Sequence, residues 1–313
     1  METTTVFENK DDAYEVDNTE YKVSDSHISI LIIVILLSLI GNVLVVAISV
    51  FYMKLQSLII IIILNLAVSD LLFTVHLMFW AYDHIWGFTL GNGGWKAAHF
   101  IFAAGFYNTL VFLVWMSVQQ YMSVVCVQSS WKKGRYFTHC AWAVSILAAL
   151  PALLNIEAVL DARYCTCISI TVRILAIYKH VIFVWALLIM GCFYIRILQT
   201  IFKSPTNQTH RITGLAFFLV ATYFICWAPF NIMSFLGILR CHQIISTYNM
   251  ERFIYAWYIC QFLAYTRCCL NPVIYGLFGI KYRKEMREIF QREVIPNSAE
   301  MGTTEHHQLQ QFN

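Results

Sequence analysis

Charge is scarce in this sequence: Asp, Glu, Lys and Arg together make up 12% of 313 residues, about half the share of an ordinary soluble domain. With hydrophobic residues at 59% and a mean hydropathy of +0.63, a soluble globule is excluded. The long apolar stretches do not alternate with polar residues, which excludes a membrane β-barrel. There is no glycine loop able to cradle a phosphate, no His/Cys group at metal-ligand spacing and no pair of carboxylates in one cleft. An enzyme, a metal or other cofactor and a nucleic-acid partner are therefore not expected. His76, His99, His139 and His180 are scattered singly. Most of the ten cysteines lie inside apolar runs (Cys126, Cys140, Cys192, Cys226, Cys260, Cys268 and Cys269), where a free thiol acts as a small hydrophobe. Cys165, Cys167 and Cys241 fall in segments expected to face outward, where oxidation is possible; these are the disulfide candidates.

What the chain does have is seven strongly apolar runs, near 28–52, 57–82, 95–127, 136–160, 171–202, 209–239 and 249–277. About twenty helical residues cross a ~30 Å hydrocarbon layer. Without water there, the backbone must satisfy its own polar groups, so each run is expected to be a helix. The expected fold is an all-α membrane protein, a seven-transmembrane helix bundle over 28–277. An odd number of crossings puts the chain ends on opposite sides. Lys54, Lys132, Lys133, Arg135, Lys203, Arg211, Lys281, Arg283, Lys284 and Arg287 follow the first, third, fifth and seventh runs. Arg163, Arg173, Lys179, Arg240 and Arg252 weaken the contrast. Basic residues beside short loops stay cytoplasmic, so the N-terminus is expected outside and the C-terminus inside.

Residues 1–27 carry eight acids against Lys10 and Lys22, together with Tyr14 and Tyr21. Low hydrophobicity and high charge predict a disordered acidic extracellular tail. It is either a solvated leader or a negative lure for a basic protein, which would raise the association rate more than the affinity. It lacks the basic start, short apolar core and cleavage site of a signal peptide, so the first run is expected to act as an uncleaved targeting signal. After the bundle, 278–294 is expected to form an amphipathic helix on the membrane lipid surface, with Tyr282, Met286, Ile289 and Phe290 on its apolar side. Residues 295–313 are expected to form a cytoplasmic tail with few hydroxyls. The sequon Asn207-Gln208-Thr209 is discounted because it falls on the cytoplasmic side.

Polar residues inside the runs carry the most information, because an ionisable group in hydrocarbon is costly. Asp70 lies mid-run in the second segment. Arg267 lies mid-run in the seventh, four residues before Asn271, so both project from one helical face. Asp70 and Arg267 are expected to meet, either as a structural ion pair or as a switch whose strength depends on state. Pro229 and Pro272 each remove a helix hydrogen bond and kink their segment. Trp227 stands beside the first kink, and Asn271 and Tyr275 beside the second.

Gly41-Asn42, Leu66-Ala67-Val68-Ser69-Asp70, Trp142, Cys226-Trp227-Ala228-Pro229 and Asn271-Pro272-Val273-Ile274-Tyr275 together resemble the rhodopsin-like (class A) G-protein-coupled receptors. The resemblance runs over about 28–292. The acidic tyrosine-bearing tail, Trp80 and Cys268-Cys269 before Leu270-Asn271-Pro272 resemble the chemokine-receptor family. Ile63 to Leu66, Tyr121 to Val125 and Tyr194 to Phe202 are most similar to its lymphotactin (XC-type) branch. The resemblance implies a plasma-membrane receptor that captures a basic chemokine at its outer face, around Tyr14, Tyr21, Trp80, Tyr107, Tyr255 and Gln261. It also implies a heterotrimeric G protein or arrestin as inner partner. The implied switch comprises Asp70, Gln120, Tyr121, Tyr194, Trp227, Pro229, Arg267, Asn271, Pro272 and Tyr275.

The departures matter as much. Gln119-Gln120-Tyr121 stands where the family has Asp-Arg-Tyr, so the restraint on that arginine and its charged G-protein contact are both missing. Trp95 replaces the cysteine that begins the third segment, leaving Cys165 without its usual mate; pairing of Cys165 or Cys167 with Cys241 is one alternative. Met78 replaces a proline in the second segment. Arg267 replaces a small or imidazole group beside the family's sodium pocket, and is expected to abolish sodium sensitivity. Two receptor readings follow: signalling through G protein with weakened coupling, or an atypical decoy that binds and scavenges ligand without it. A transporter is disfavoured, because no inverted repeat is present.

Overall fold

The computed structural model describes residues 10–52, 58–86, 91–126, 134–153, 170–203, 207–241 and 250–278. Seven long helices account for nearly all of them: α1 (Lys10–Ala47), α2 (Leu58–Trp86), α3 (Gly91–Val124), α4 (Gly134–Ala149), α5 (Ile170–Lys203), α6 (Asn207–Cys241) and α7 (Met250–Phe278). A π-helical turn, Ile48–Tyr52, ends α1, and a 3-10 turn, Leu150–Leu153, follows α4 at Pro151. The fold is an all-helical bundle, as the seven apolar runs predict.

Six of the helices are long and apolar enough to cross a membrane: Ile28–Tyr52, Leu58–Tyr82, Gly93–Val124, Tyr136–Leu153, Ile177–Phe202 and Thr213–Arg240. Helix α7 is not among them, because Arg252, Gln261, Arg267 and Asn271 dilute its apolar character. Two of these, Arg267 and Asn271, are buried against other helices.

One boundary differs from expectation. Helix α1 begins at Lys10, so 10–27 continues the helix instead of forming part of a disordered tail. No glycine or proline interrupts Lys10 to His27, and extending a helix already nucleated in the apolar run is far easier than starting one. The side chains of Tyr14 and Tyr21 lie outside the described set. So do the surface helix and tail expected after Phe278.

Helix α3 is the axis of the bundle: 67% of its apolar window is buried, against 17% in α4. It packs on α2, α4, α5 and α6, while α7 closes the ring against α6 and α1. Polarity is inverted relative to a soluble protein. Large apolar side chains such as Ile33, Leu37, Ile40, Trp185, Leu188 and Ile195 are exposed on the outer faces. Ser38, Asn42, Ser69, Asp70, Thr74, Asn108, Ser117 and Ser145 are buried.

That inversion follows from lipid chemistry, where a polar group can be satisfied only by protein. Several hydroxyls donate back to the carbonyl four residues earlier: Ser49 to Val45, Ser69 to Asn65, Thr109 to Gly105 and Ser117 to Leu113. Others tie helices together. Ser38 of α1 bonds Thr74 of α2 at 2.6 Å. Asn108 of α3 donates to Ser69 Oγ of α2 at 2.6 Å, and Ser145 of α4 donates to Asn108 at 3.3 Å. Trp142 of α4 donates Nε1–H to Asn65 Oδ1 of α2 at 2.8 Å. Gly105 of α3 lies against the α2 backbone, where a Cβ would stand 3.1 Å from the Ser69 carbonyl oxygen.

Candidate functional site

The polar centre forms where α2 meets α7. Asp70 is fully buried, and its Oδ1 is paired with the Arg267 guanidinium. Asn271, one turn further along α7, donates Nδ2–H to Asp70 Oδ2 at 2.6 Å. Spacing of four on a helix puts both α7 groups over the same carboxylate. The guanidinium carbon lies 5.3 Å from the centroid of the Tyr223 ring of α6, a cation–π distance. A carboxylate, a guanidinium, a carboxamide and a phenol ring from three helices thus make one compact, nearly neutral cluster at membrane depth. The guanidinium sits where a free cation would otherwise neutralise Asp70.

The helix turn at Pro272 is bridged from outside its own helix. Pro272 has no N–H to give the carbonyl of Cys268, four residues earlier. Asn42 of α1 supplies the donor: its Nδ2 reaches the Cys268 oxygen at 2.9 Å and also bonds the Ser38 carbonyl at 2.9 Å. This approach is close because residue 41 is glycine; a Cβ there would lie 2.8 Å from Pro272 Cγ.

Toward the end of the bundle where α1, α3, α5 and α7 begin, an aromatic floor surrounds Trp227. Its ring centroid lies 5.0 Å from Phe106, 5.9 Å from Phe73, 6.0 Å from Phe102 and Phe230, and 6.3 Å from Tyr223. Most of these pairs are tilted or edge-on, the favoured geometries for rings. Tyr223 is shared between the floor and the Arg267 cluster, so the two sites form one contiguous stack along α6. Lys179 of α5 reaches into this floor, with its Nζ over the same rings. In the sequence it reads only as one of the basic residues blurring a charge asymmetry. The available signal is that it falls inside an apolar run.

The residues assigned to the mouth divide. Trp80 of α2 packs edge-on to Tyr265 of α7 at 6.0 Å, and Gln261 donates to the Tyr265 hydroxyl at 2.5 Å. Tyr265, absent from the sequence-based set, therefore joins two of its members. Tyr255 is partly exposed on α7. Tyr107 is buried and turned toward Tyr178 of α5 at 6.3 Å. It sits beside Phe106, at the depth of Trp227 instead of at the rim. Trp95 is buried and packs on His99 at 5.3 Å, filling the start of α3 with an aromatic contact. Cys165 and Cys167 lie outside the described residues, and Cys241 closes α6 with its side chain also outside the description.

At the opposite end, Gln120 of α3 is buried and accepts a hydrogen bond from Thr213 of α6 at 3.4 Å, long for an O–H···O contact. Tyr121 packs on Phe193 of α5 at 5.2 Å, and Tyr194 on Phe217 of α6 at 5.7 Å. The α3–α6 link here is neutral and weak.

Residues 41–275 match the family described as 7 transmembrane receptor (rhodopsin family). Chemokine XC receptor 1 of Homo sapiens is 34% identical over 267 residues, covering 83% of this chain and 80% of that protein. Chemokine XC receptor 1 of Mus musculus is 34% identical over 310 residues, with 93% and 92% covered. C-C chemokine receptor type 4 of Homo sapiens is 30% identical over 273 residues, with 82% and 76% covered.

Proposed function

We infer function from this premise: the chain belongs to the rhodopsin family of seven-transmembrane receptors, in its chemokine-receptor branch. It is a multi-pass membrane receptor and not an enzyme. Its ligand is a basic chemokine, captured at an extracellular mouth formed by the ends of α2 and α7 around Trp80, Tyr265 and Gln261. The acidic residues before Ile28, with Tyr14 and Tyr21 among them, draw that ligand in by long-range attraction. The N-terminus is extracellular. Epitope tags at the two ends appearing on the same face of intact cells would exclude that orientation.

The observation that carries the reading is the stack Trp227–Tyr223–Arg267–Asp70, which joins the aromatic floor to the polar centre. A ligand that contacts the floor differently in two arrangements of α6 shifts the population between them, by no more than its differential affinity. Reversing a 1:99 equilibrium to 99:1 needs about 5.5 kcal/mol of such difference. Pro229 and Pro272 supply the places where α6 and α7 can repack.

The inner face favours a second reading for the output. Gln120 carries no charge, and among the described residues its α3–α6 hydrogen bond is the long contact from Thr213. Coupling to a heterotrimeric G protein is weak on this reading, and the receptor binds and internalises ligand as a scavenger, with arrestin or no transducer. A labelled panel of basic chemokines on cells displaying the full chain tests the ligand class. Saturable binding of at least one member is expected; absence of binding across the panel overturns the reading.

A further inference from the structure

Lys179 is the third residue of the apolar window Ile177–Phe202 of α5. Its Nζ stands 5.3 Å from the centroid of Phe106, 5.4 Å from Phe102 and Phe230, and 5.9 Å from Trp227. The rings come from α3 and α6, so the ammonium fills a junction of three helices. Asp70 and Arg267 form the one ion pair found among the described residues, and no described carboxylate accompanies Lys179. The other ionisable groups on this floor are His76 and His99, whose rings lie 5.4 Å apart, and the phenols of Tyr107 and Tyr223. Each imidazole has its Nδ1 bonded to a backbone carbonyl, of Ala98 and Trp95 respectively. None of these groups supplies a negative charge.

Ring faces attract a desolvated cation, but by less than it costs to take an ammonium out of water. The cage holds Lys179 without neutralising it. The named residues of the mouth above, Trp80, Tyr255, Gln261 and Tyr265, are neutral as well. We propose that Lys179 and its ring cage form an anion subsite at the floor of the mouth, which takes a carboxylate carried on an aryl or alkyl arm of the ligand.

The proposal rests on the receptor reading and gives the ligand two polarities. The acidic residues before Ile28 address its basic body, and the ammonium addresses an acidic group on the segment that enters the bundle. An arriving carboxylate pairs with Nζ and draws it off the faces of Trp227 and Phe230. The aromatic part of the ligand then replaces it over the rings. That exchange is a contact made with Trp227 itself, the kind of differential interaction a population shift requires.

The test uses the purified full chain in lipid nanodiscs and three probes of matched shape: 4-phenylbutyrate, 4-phenylbutanamide and 4-phenylbutylamine. Binding is read by tryptophan fluorescence and by the thermal midpoint. The acid is expected to bind saturably and at least tenfold more tightly than the amide or the amine. Lys179→Met should abolish that preference, and Lys179→Arg should keep it. Equal binding of acid and amide, or an acid preference that survives in Lys179→Met, overturns the subsite. So does an absence of binding by the acid. If Lys179→Met does not fold, the comparison of the three probes on the unaltered chain decides alone. No chemokine enters the measurement, so the two readings fail separately. Chemokine binding without acid preference removes only the subsite, and acid preference without chemokine binding removes only the chemokine assignment.

Discussion

Gly41 of α1 lies against the ring of Pro272 on α7, so close that a Cβ at residue 41 would stand 2.8 Å from Cγ and 2.9 Å from Cβ of the proline. Small residues let membrane helices approach in this way. The approach brings Asn42 within reach of the carbonyl that Pro272 leaves without a donor. The close approach of α1 to the Pro272 turn of α7 therefore depends on one glycine.

Gly41→Ala is expected to lower the thermal midpoint of the purified receptor, despite alanine's better helix propensity, because overpacking costs about 1–3 kcal/mol. A Cβ added at Gly191 would meet nothing within 4 Å, so Gly191→Ala is expected to hold or raise the midpoint. Equal effects of the two substitutions would show that the α1–α7 approach is not tight.

Removing one partner of the Asp70–Arg267 pair strands a charge at membrane depth. Asp70→Asn and Arg267→Met are each expected to destabilise by about 3–5 kcal/mol, and the double variant by much less than their sum. Unfolding of the four proteins in one detergent measures the coupling. Additive losses would mean that the pair contributes nothing as a pair.

The same guanidinium should make the receptor indifferent to sodium. Replacing an organic cation by sodium at constant ionic strength is expected to leave ligand affinity and thermal midpoint unchanged, because Arg267 already neutralises Asp70. Arg267→His should bring a sodium effect into view. A sodium shift in the unaltered chain that Arg267→His does not change would refute this account.

Gln120 accepts a hydrogen bond from Thr213 at 3.4 Å. Gln120→Arg introduces a charge where the chain has none and is expected to raise ligand-driven nucleotide exchange on G protein several-fold. Exchange by the unaltered receptor equal to that of the variant would remove the silent reading.

Several features are legible before any helix is placed. The limits of the first apolar run match the apolar part of α1, and Asp70 and Arg267 pair on cost alone, since each is expensive in hydrocarbon without the other. Charge predicts disorder over 10–27, whereas α1 runs from Lys10 to Ala47. Tyr107 stands midway along α3, and only its azimuth on that helix turns it toward Tyr178.

The order and helical nature of the spans were determined by the sequence itself, because each membrane helix satisfies its backbone within its own segment. That property is local and can be read residue by residue. What the tertiary structure decided is which side chains share a neighbour across the bundle. Asn42 finds the Cys268 carbonyl 226 residues away, Asn271 finds Asp70 across 201, and Lys179 comes to rest between the rings of two other helices. These pairings depend on the rotation and spacing of packed helices, which no single run of sequence encodes.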